Sequence, residues 1–147
     1  MTDFIFNIAK GRIAELAALG AANDALIWVP IETSGIVSDA TMKDYTDLAT
    51  LLAGACNEQT TIGRVTATSV TVTPDYTNDW VDIDAADPSF TGAGNAVSKL
   101  LLCYDYDTTT GTDSSIVPLA AFDWVVTPSG TTTAVLPSSP NGCMRAS

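Results

Sequence analysis

The apolar positions of the chain follow one period in its first sixty residues and another beyond them. Ile5, Ala9, Ile13, Leu16 and Gly20 recur at spacings of three and four, the period of a helix face. With Thr2 or Asp3 as N-cap and Gly20 as stop, the pattern predicts an amphipathic helix from Thr2 to Gly20, weakened by Gly11. Ala25-Leu26-Ile27-Trp28-Val29-Pro30-Ile31-Glu32 reads as a short buried strand. Pro30 cannot donate to a ladder, which assigns that part to an edge or a bulge. A second helix is predicted next, capped by Ser38 or Asp39, with Met42, Tyr45, Leu48, Ala49 and Leu52 as its stripe and Gly54 at its end.

Beyond residue 60 the period is two. Val65 to Thr73 alternates, but its apolar residues change parity between Ala67 and Val70, the mark of a bulge or of two short strands joined. Pro74 to Asp79 is dense in turn formers, and Trp80 to Ala85 sets Val81, Ile83 and Ala85 on one face against Asp82 and Asp84 on the other. Asp87 to Asn95 reads as an open loop. Lys99 to Tyr106 is apolar on both faces, the pattern of a central strand. Asp107 to Ser115 reads as a polar hairpin or loop, Leu119 to Thr127 as a strand, Pro128-Ser129-Gly130 as a turn into Thr131 to Leu136, and Pro137 to Gly142 as a connection to a short tail, Cys143 to Ser147.

Composition agrees with this division. Eleven of the twenty alanines lie in residues 1–59 and sixteen of the twenty-one threonines in 60–147, and these residues favour helix and strand respectively. The expected fold is one α+β domain over residues 1–147. It has two N-terminal helices and a mainly antiparallel, Thr-rich β-sheet, or a small β-sandwich or barrel, in the C-terminal two-thirds.

Charge then narrows the function. The chain has 147 residues, a net charge of −11 and no histidine. Without histidine there is no side chain that ordinarily titrates near neutrality, and no imidazole for a triad or a zinc site. A surface this acidic repels phosphate backbones, so no nucleic-acid partner is expected. No apolar run approaches about eighteen residues, and the first residues reverse the order of a signal peptide, so no membrane partner is expected and synthesis is assigned to a cytoplasm, where the product is expected to stay soluble. Cys56, Cys103 and Cys143 are widely spaced and odd in number, hence read as reduced thiols.

Each candidate chemistry meets an obstacle in its own residues. Asp105 to Asp113 opens like a calcium loop, but Thr110 and Ile116 stand where glycine and a bidentate glutamate belong. Asp82 and Asp84, about 6.5–7 Å apart along one strand face, have a separation a glycosidase could use; with Asp87 they could also meet a cation. The solvated face of a sheet accounts for them as well. Gly92-Ala93-Gly94-Asn95 lacks the lysine and following helix of a phosphate loop. No catalytic residue, cofactor or metal ligand is assigned, and the chain is read as a non-enzyme. Trp28 and Trp124 read as sheet core. Trp80 differs, because its parity sets a large ring on the acid-bearing face beside Asp82, as a docking anchor.

Several stretches in order resemble a family of small virion proteins of tailed bacteriophages, chiefly those of actinobacteria, described as head or capsid decoration proteins. They are Phe6 to Arg12 with Ala21 to Leu26, Ser38 to Tyr45, Thr77 to Asp84, Lys99 to Asp105 and Met144 to Ser147. The resemblance implies a structural protein that binds the outer surface of an assembled capsid and stabilises it, with the major capsid protein as partner and a homo-oligomer, taken as a trimer, as the assembly. The alternative is another virion part: tail, head–tail joining or host-binding. High negative charge suits a protein that must stay unassociated until it meets the shell. Phe4, Ile8 and Arg12 on the N-terminal helix and Trp80, Asp82 and Asp84 on the strand are the candidate interface residues.

Overall fold

The structure, a computed structural model, describes residues 2–136 and 143–146. It is mixed α and β, with its strands in antiparallel sheets. At its centre is β7 (Val97–Asp105), flanked by β2 (Ala25–Glu32) and β8 (Val117–Val126). Two-residue strands complete this sheet at either edge: β1 (Phe4–Ile5) beside β8 and β3 (Val65–Thr66) beside β2, giving the order β1-β8-β7-β2-β3. The apolar run at Lys99 to Tyr106 is therefore a central strand, as its two-sided pattern predicts.

Alternation on β2 and β7 explains why both faces are covered. Ile27, Val29, Ile31, Leu101 and Cys103 pack with Met42, Leu48 and Leu51 in one cluster. Leu26, Trp28, Leu100 and Leu102 turn the other way and pack with Ile13, Leu16, Ile83 and Phe90. The first face carries α2 (Asp39–Met42) and α3 (Leu48–Gly54). The second carries α1 (Ile13–Ala17) and two smaller sheets. One has the order β10-β5-β4, from β4 (Thr71–Asp75), β5 (Trp80–Asp84) and β10 (Met144–Ala146); the other pairs β6 (Ser89–Ala93) with β9 (Ser129–Thr133).

Pro30 stands where its missing N–H does no harm. Its carbonyl accepts from Gln59 N–H at 2.9 Å, so its backbone faces away from β7, on the side that β3 no longer covers. The ladder shifts register next to it, between Ile31 and Glu32. The parity change after Ala67 is the join of β3 and β4.

The two long helices are not formed. From Phe4 to Ala17 the chain runs as β1, a 3-10 turn at Asn7–Ala9 and α1. Gly11 sits at φ +80°, where the helix would have to continue, and Phe4 and Ile5 pair with Ala121 and Ala120. The spacing of three and four is real burial, delivered by three local conformations in succession. The second predicted helix is likewise two. Ser38 caps α2 by accepting from Thr41 N–H, and Asp47 starts α3 afresh by accepting from Thr50 N–H at 2.8 Å.

Three other expectations are corrected. The segment read as an open loop contains β6, because Phe90 is buried in the core and Gly92 lies opposite Gly130 in a two-stranded ribbon. A Cβ on Gly92 would come within 2.9 Å of the Thr61 carbonyl, so the glycine marks a close backbone approach rather than a loose chain. Ser129 and Gly130, read as a turn, open β9. The tail contains β10, paired with β5 from Met144↔Ile83 to Ala146↔Val81. The connection read at Pro137 to Gly142 lies outside the described residues. Among the described residues no helix is long and apolar enough to cross a membrane.

Candidate functional site

A groove of about 660 Å³ opens between the N-terminal segment and the β4–β5 hairpin. One wall is Ile5 of β1 with Lys10, Gly11, Ile13 and Ala14; the other is Pro74, Asp75, Tyr76 and Asp79 with Trp80 and Val81 of β5. Arg145 and Ala146 of β10 also line it. Hairpin geometry makes the second wall. Asp75 caps its own turn by accepting from Thr77 N–H at 2.9 Å and Asn78 N–H at 3.1 Å, and the Asn78 amide donates to its other oxygen at 2.9 Å. These bonds, the Asn78 side chain foremost, hold Asp75 below the usual carboxylate range. The turn leaves Tyr76 at 88% exposure, the most exposed aromatic ring in the chain.

Trp80 is half-buried rather than open to water. The guanidinium of Arg145 lies 3.6 Å from its ring centroid, and Arg145 Nε donates to Asp82 Oδ1 at 2.7 Å. Stacking and ion pairing therefore act on one cation, a contact that holds β10 against β5. Asp82 is thus engaged by a cation on the neighbouring strand and does not present a free carboxylate to pair with Asp84. Among the described residues no group of three Cys, Asp or Glu side chains could hold a metal ion.

The remaining candidate residues disperse. Phe4 is half-buried, its ring 5.2 Å from that of Phe6 and 5.1 Å from Lys99 Nζ. Ile8 packs against the helical-side cluster, and Arg12 is exposed and paired with Glu15 at 3.5 Å. Phe4 packs against the same cluster as Ile8, and Arg12 stands apart from both. Of the six candidates only Trp80 lines the groove; Phe4 lines a smaller concavity of about 210 Å³ beside it.

Two charged centres escaped the sequence reading. Lys99 is fully buried, with Nζ 2.6 Å from Asp123 Oδ1, 3.2 Å from Asp39 Oδ1 and 3.0 Å from the Thr2 carbonyl. Burial raises the Asp39 pKa, but the Thr2 N–H and Lys99 outweigh it and hold the group below its ordinary value. Arg64 forks onto both oxygens of Glu58 at 2.8 and 2.7 Å and onto Asp113 at 2.6 and 2.9 Å, tying the chain before β3 to the 3-10 turn Asp113–Ser115. Neither centre faces the groove.

The calcium-like loop spends its oxygens on itself. Asp107 accepts from the hydroxyls of Thr109 and Thr110 and from the Thr109 N–H, the Thr109 hydroxyl first among the causes that bring its pKa down to about 2. No family model, curated protein or solved structure matches the chain.

Proposed function

We propose that the chain is a non-enzymatic virion protein of the capsid-decoration type. It binds the outer surface of an assembled shell through the groove between β1 and the β4–β5 hairpin, with the major capsid protein as partner, and assembles as a closed homo-oligomer, a trimer. The observation that carries this reading is the groove itself: an exposed Tyr76 and a half-buried Trp80 stand over an apolar floor on a molecule of net charge −11. Aromatic anchors beside fixed charges are the chemistry of a protein-docking surface, where rings supply buried area and charges set orientation. The family resemblance across Thr77 to Asp84 and Met144 to Ser147 falls on the strands that build one wall. The central sheet layered on two smaller ones is read as a sandwich-like platform for that wall.

The test is copy number and location. Quantifying the chain against the major shell protein in purified virions should give hundreds of copies, released as salt rises if steering by charge contributes. A handful of copies, with labelling at the tail, would select the tail or joining reading instead.

A further inference from the structure

We infer that the groove receives an extended peptide segment of a partner protein, carrying apolar side chains and a lysine or arginine, laid between β1 and β10 as an added strand. The inference deepens the docking role proposed above and rests on it. Two sheet edges border the same space. β1 ends the five-stranded sheet and β10 ends the three-stranded one, and Ile5 and Arg145 line both the groove and the smaller concavity beside it.

The backbone of β1 is oriented to pair outward. Phe6 N–H donates to the Leu119 carbonyl at 3.0 Å, and the register places Phe4 opposite Ala121. Phe6 and Phe4 therefore turn their peptide groups toward β8, and alternation turns those of Ile5, a groove-lining residue, away from it. The smaller concavity is lined by Cys143, Met144 and Arg145 and the larger by Arg145 and Ala146, so the space runs along β10. Strand addition at such an edge draws affinity from main-chain hydrogen bonds and selectivity from alternate side chains.

Charge selects the occupant. Asp3, Asp75 and Asp79 line the two concavities against Lys10 and Arg145, and Arg145 is matched by Asp82. A surplus of negative charge remains, which favours a basic segment. Arg145 on the Trp80 ring displays within the fold how this wall accepts a guanidinium. A second copy would bring the same acidic hairpin to this groove and is opposed there.

A random decapeptide library displayed on yeast and selected against the full chain provides the probe. Enriched peptides should alternate apolar and polar positions, contain Lys or Arg, and bind less tightly as salt rises. Bound, they should slow amide exchange at Ile5 and at Arg145–Ala146. Ile5→Pro removes one outward N–H and should weaken them about tenfold, the equivalent of one good hydrogen bond. Should that variant fail to fold, Lys10→Glu alters only an exposed charge and should tighten them about two- to threefold. No enrichment, acidic or patternless peptides, or protection elsewhere would overturn the inference. So would protection of Ile5 by self-association of the chain alone, which would make the occupant a second copy. Shell binding without protection at Ile5 would remove the groove inference and leave decoration standing; peptide binding without shell association would do the reverse.

Discussion

Exchanging Asp123 for asparagine should cost more stability than exchanging Lys99 for methionine, although both substitutions break the same ion pair. The asymmetry follows from burial. The Lys99 side chain is 0% exposed, whereas Asp123 and Asp39 are 34% and 21% exposed. In Lys99→Met an apolar chain of similar length fills the site and Asp123 reaches water, while Asp39 keeps the Thr2 N–H on Oδ2 but is left with a buried, unpartnered Oδ1. What is lost is the bond to the Thr2 carbonyl and the pairing itself, about 1–2 kcal/mol. In Asp123→Asn the ammonium stays buried with its 2.6 Å partner neutralised and only Asp39 and Thr2 left. An uncompensated buried charge costs about 3–5 kcal/mol, and the surviving Asp39 sets the expectation at the low end, about 3 kcal/mol. At about 2–4 °C per kcal/mol for a chain near this size, the melting temperature should fall by roughly 6–12 °C in Asp123→Asn and roughly 2–8 °C in Lys99→Met. Urea and thermal unfolding at neutral pH, followed by tryptophan fluorescence, measure both. If Lys99→Met proves as costly as Asp123→Asn or costlier, desolvation of the lysine is not what governs this site.

Three further outcomes are expected. Asp39, Asp107 and Asp113 are lowered in the folded state, Asp113 chiefly by Arg64, so their stabilisation is complete above the ordinary value of 3.8 and is lost as pH falls toward about 2. Cys143 and Tyr104 are raised by burial to about 11 and 12; the unfolded chain deprotonates first, so stability falls again above about pH 9. With no histidine the midpoint in urea should stay flat between about pH 5 and 8, and a transition inside that window would contradict the assignment. Gly94→Ala would drive a Cβ into the Thr61 hydroxyl and within 2.6 Å of the buried Gln59 amide. It should lose about 1–3 kcal/mol, while Gly20→Ala, with nothing within 4 Å, should be neutral or mildly stabilising; equal effects in chemical unfolding would refute the crowding argument. All three cysteines are buried, so a thiol reagent should label none in the native protein and all three in denaturant, and rapid native labelling of Cys56 would place it wrongly.

The long strands of the central sheet were legible because their signal is local and one-dimensional, whereas the short β1, β6 and β10 were not. Apolar residues on both faces of 99–106 require cover on both sides, and Pro30 reports which side of its strand lacks a partner. The helices were misread because a spacing of three or four records only that residues share a buried side. Ile5, Ala9 and Ile13 reach the core from a strand, a 3-10 turn and a helix, and the one local dissent was Gly11. Parity on β5 correctly placed Trp80 with Asp82. The partner of both, Arg145, lies on a strand whose pairing no local pattern reports. Lys99 was hidden for the same reason, since a lysine at the start of an apolar run looks like a strand end until Asp123 and Asp39 are brought to it. Tyr76 carried a usable signal, because a large ring among turn formers has nowhere to bury.

The acidity of the second half acquires a different meaning from these contacts. Residues 65–144 hold nine acids and one base, which the sequence alone suggests is one broad solvated face. Instead Asp75 and Asp107 cap their own turns, Asp87 accepts from Leu136 N–H, and Asp82, Asp113 and Asp123 each hold a cation. A capping hydrogen bond fixes a carboxylate without neutralising it, so the turns still project negative charge; Arg145 offsets Asp82, whereas Lys99 and Arg64 are each shared by two acids and leave one negative charge apiece. At the groove the field comes from the turn acids beside it, Asp75 and Asp79. Contact area comes from the apolar walls and the Tyr76 and Trp80 rings. On the proposed docking role, charge at the hairpin tip should govern the rate of encounter and its salt dependence, and burial within the groove should govern how long the complex lasts.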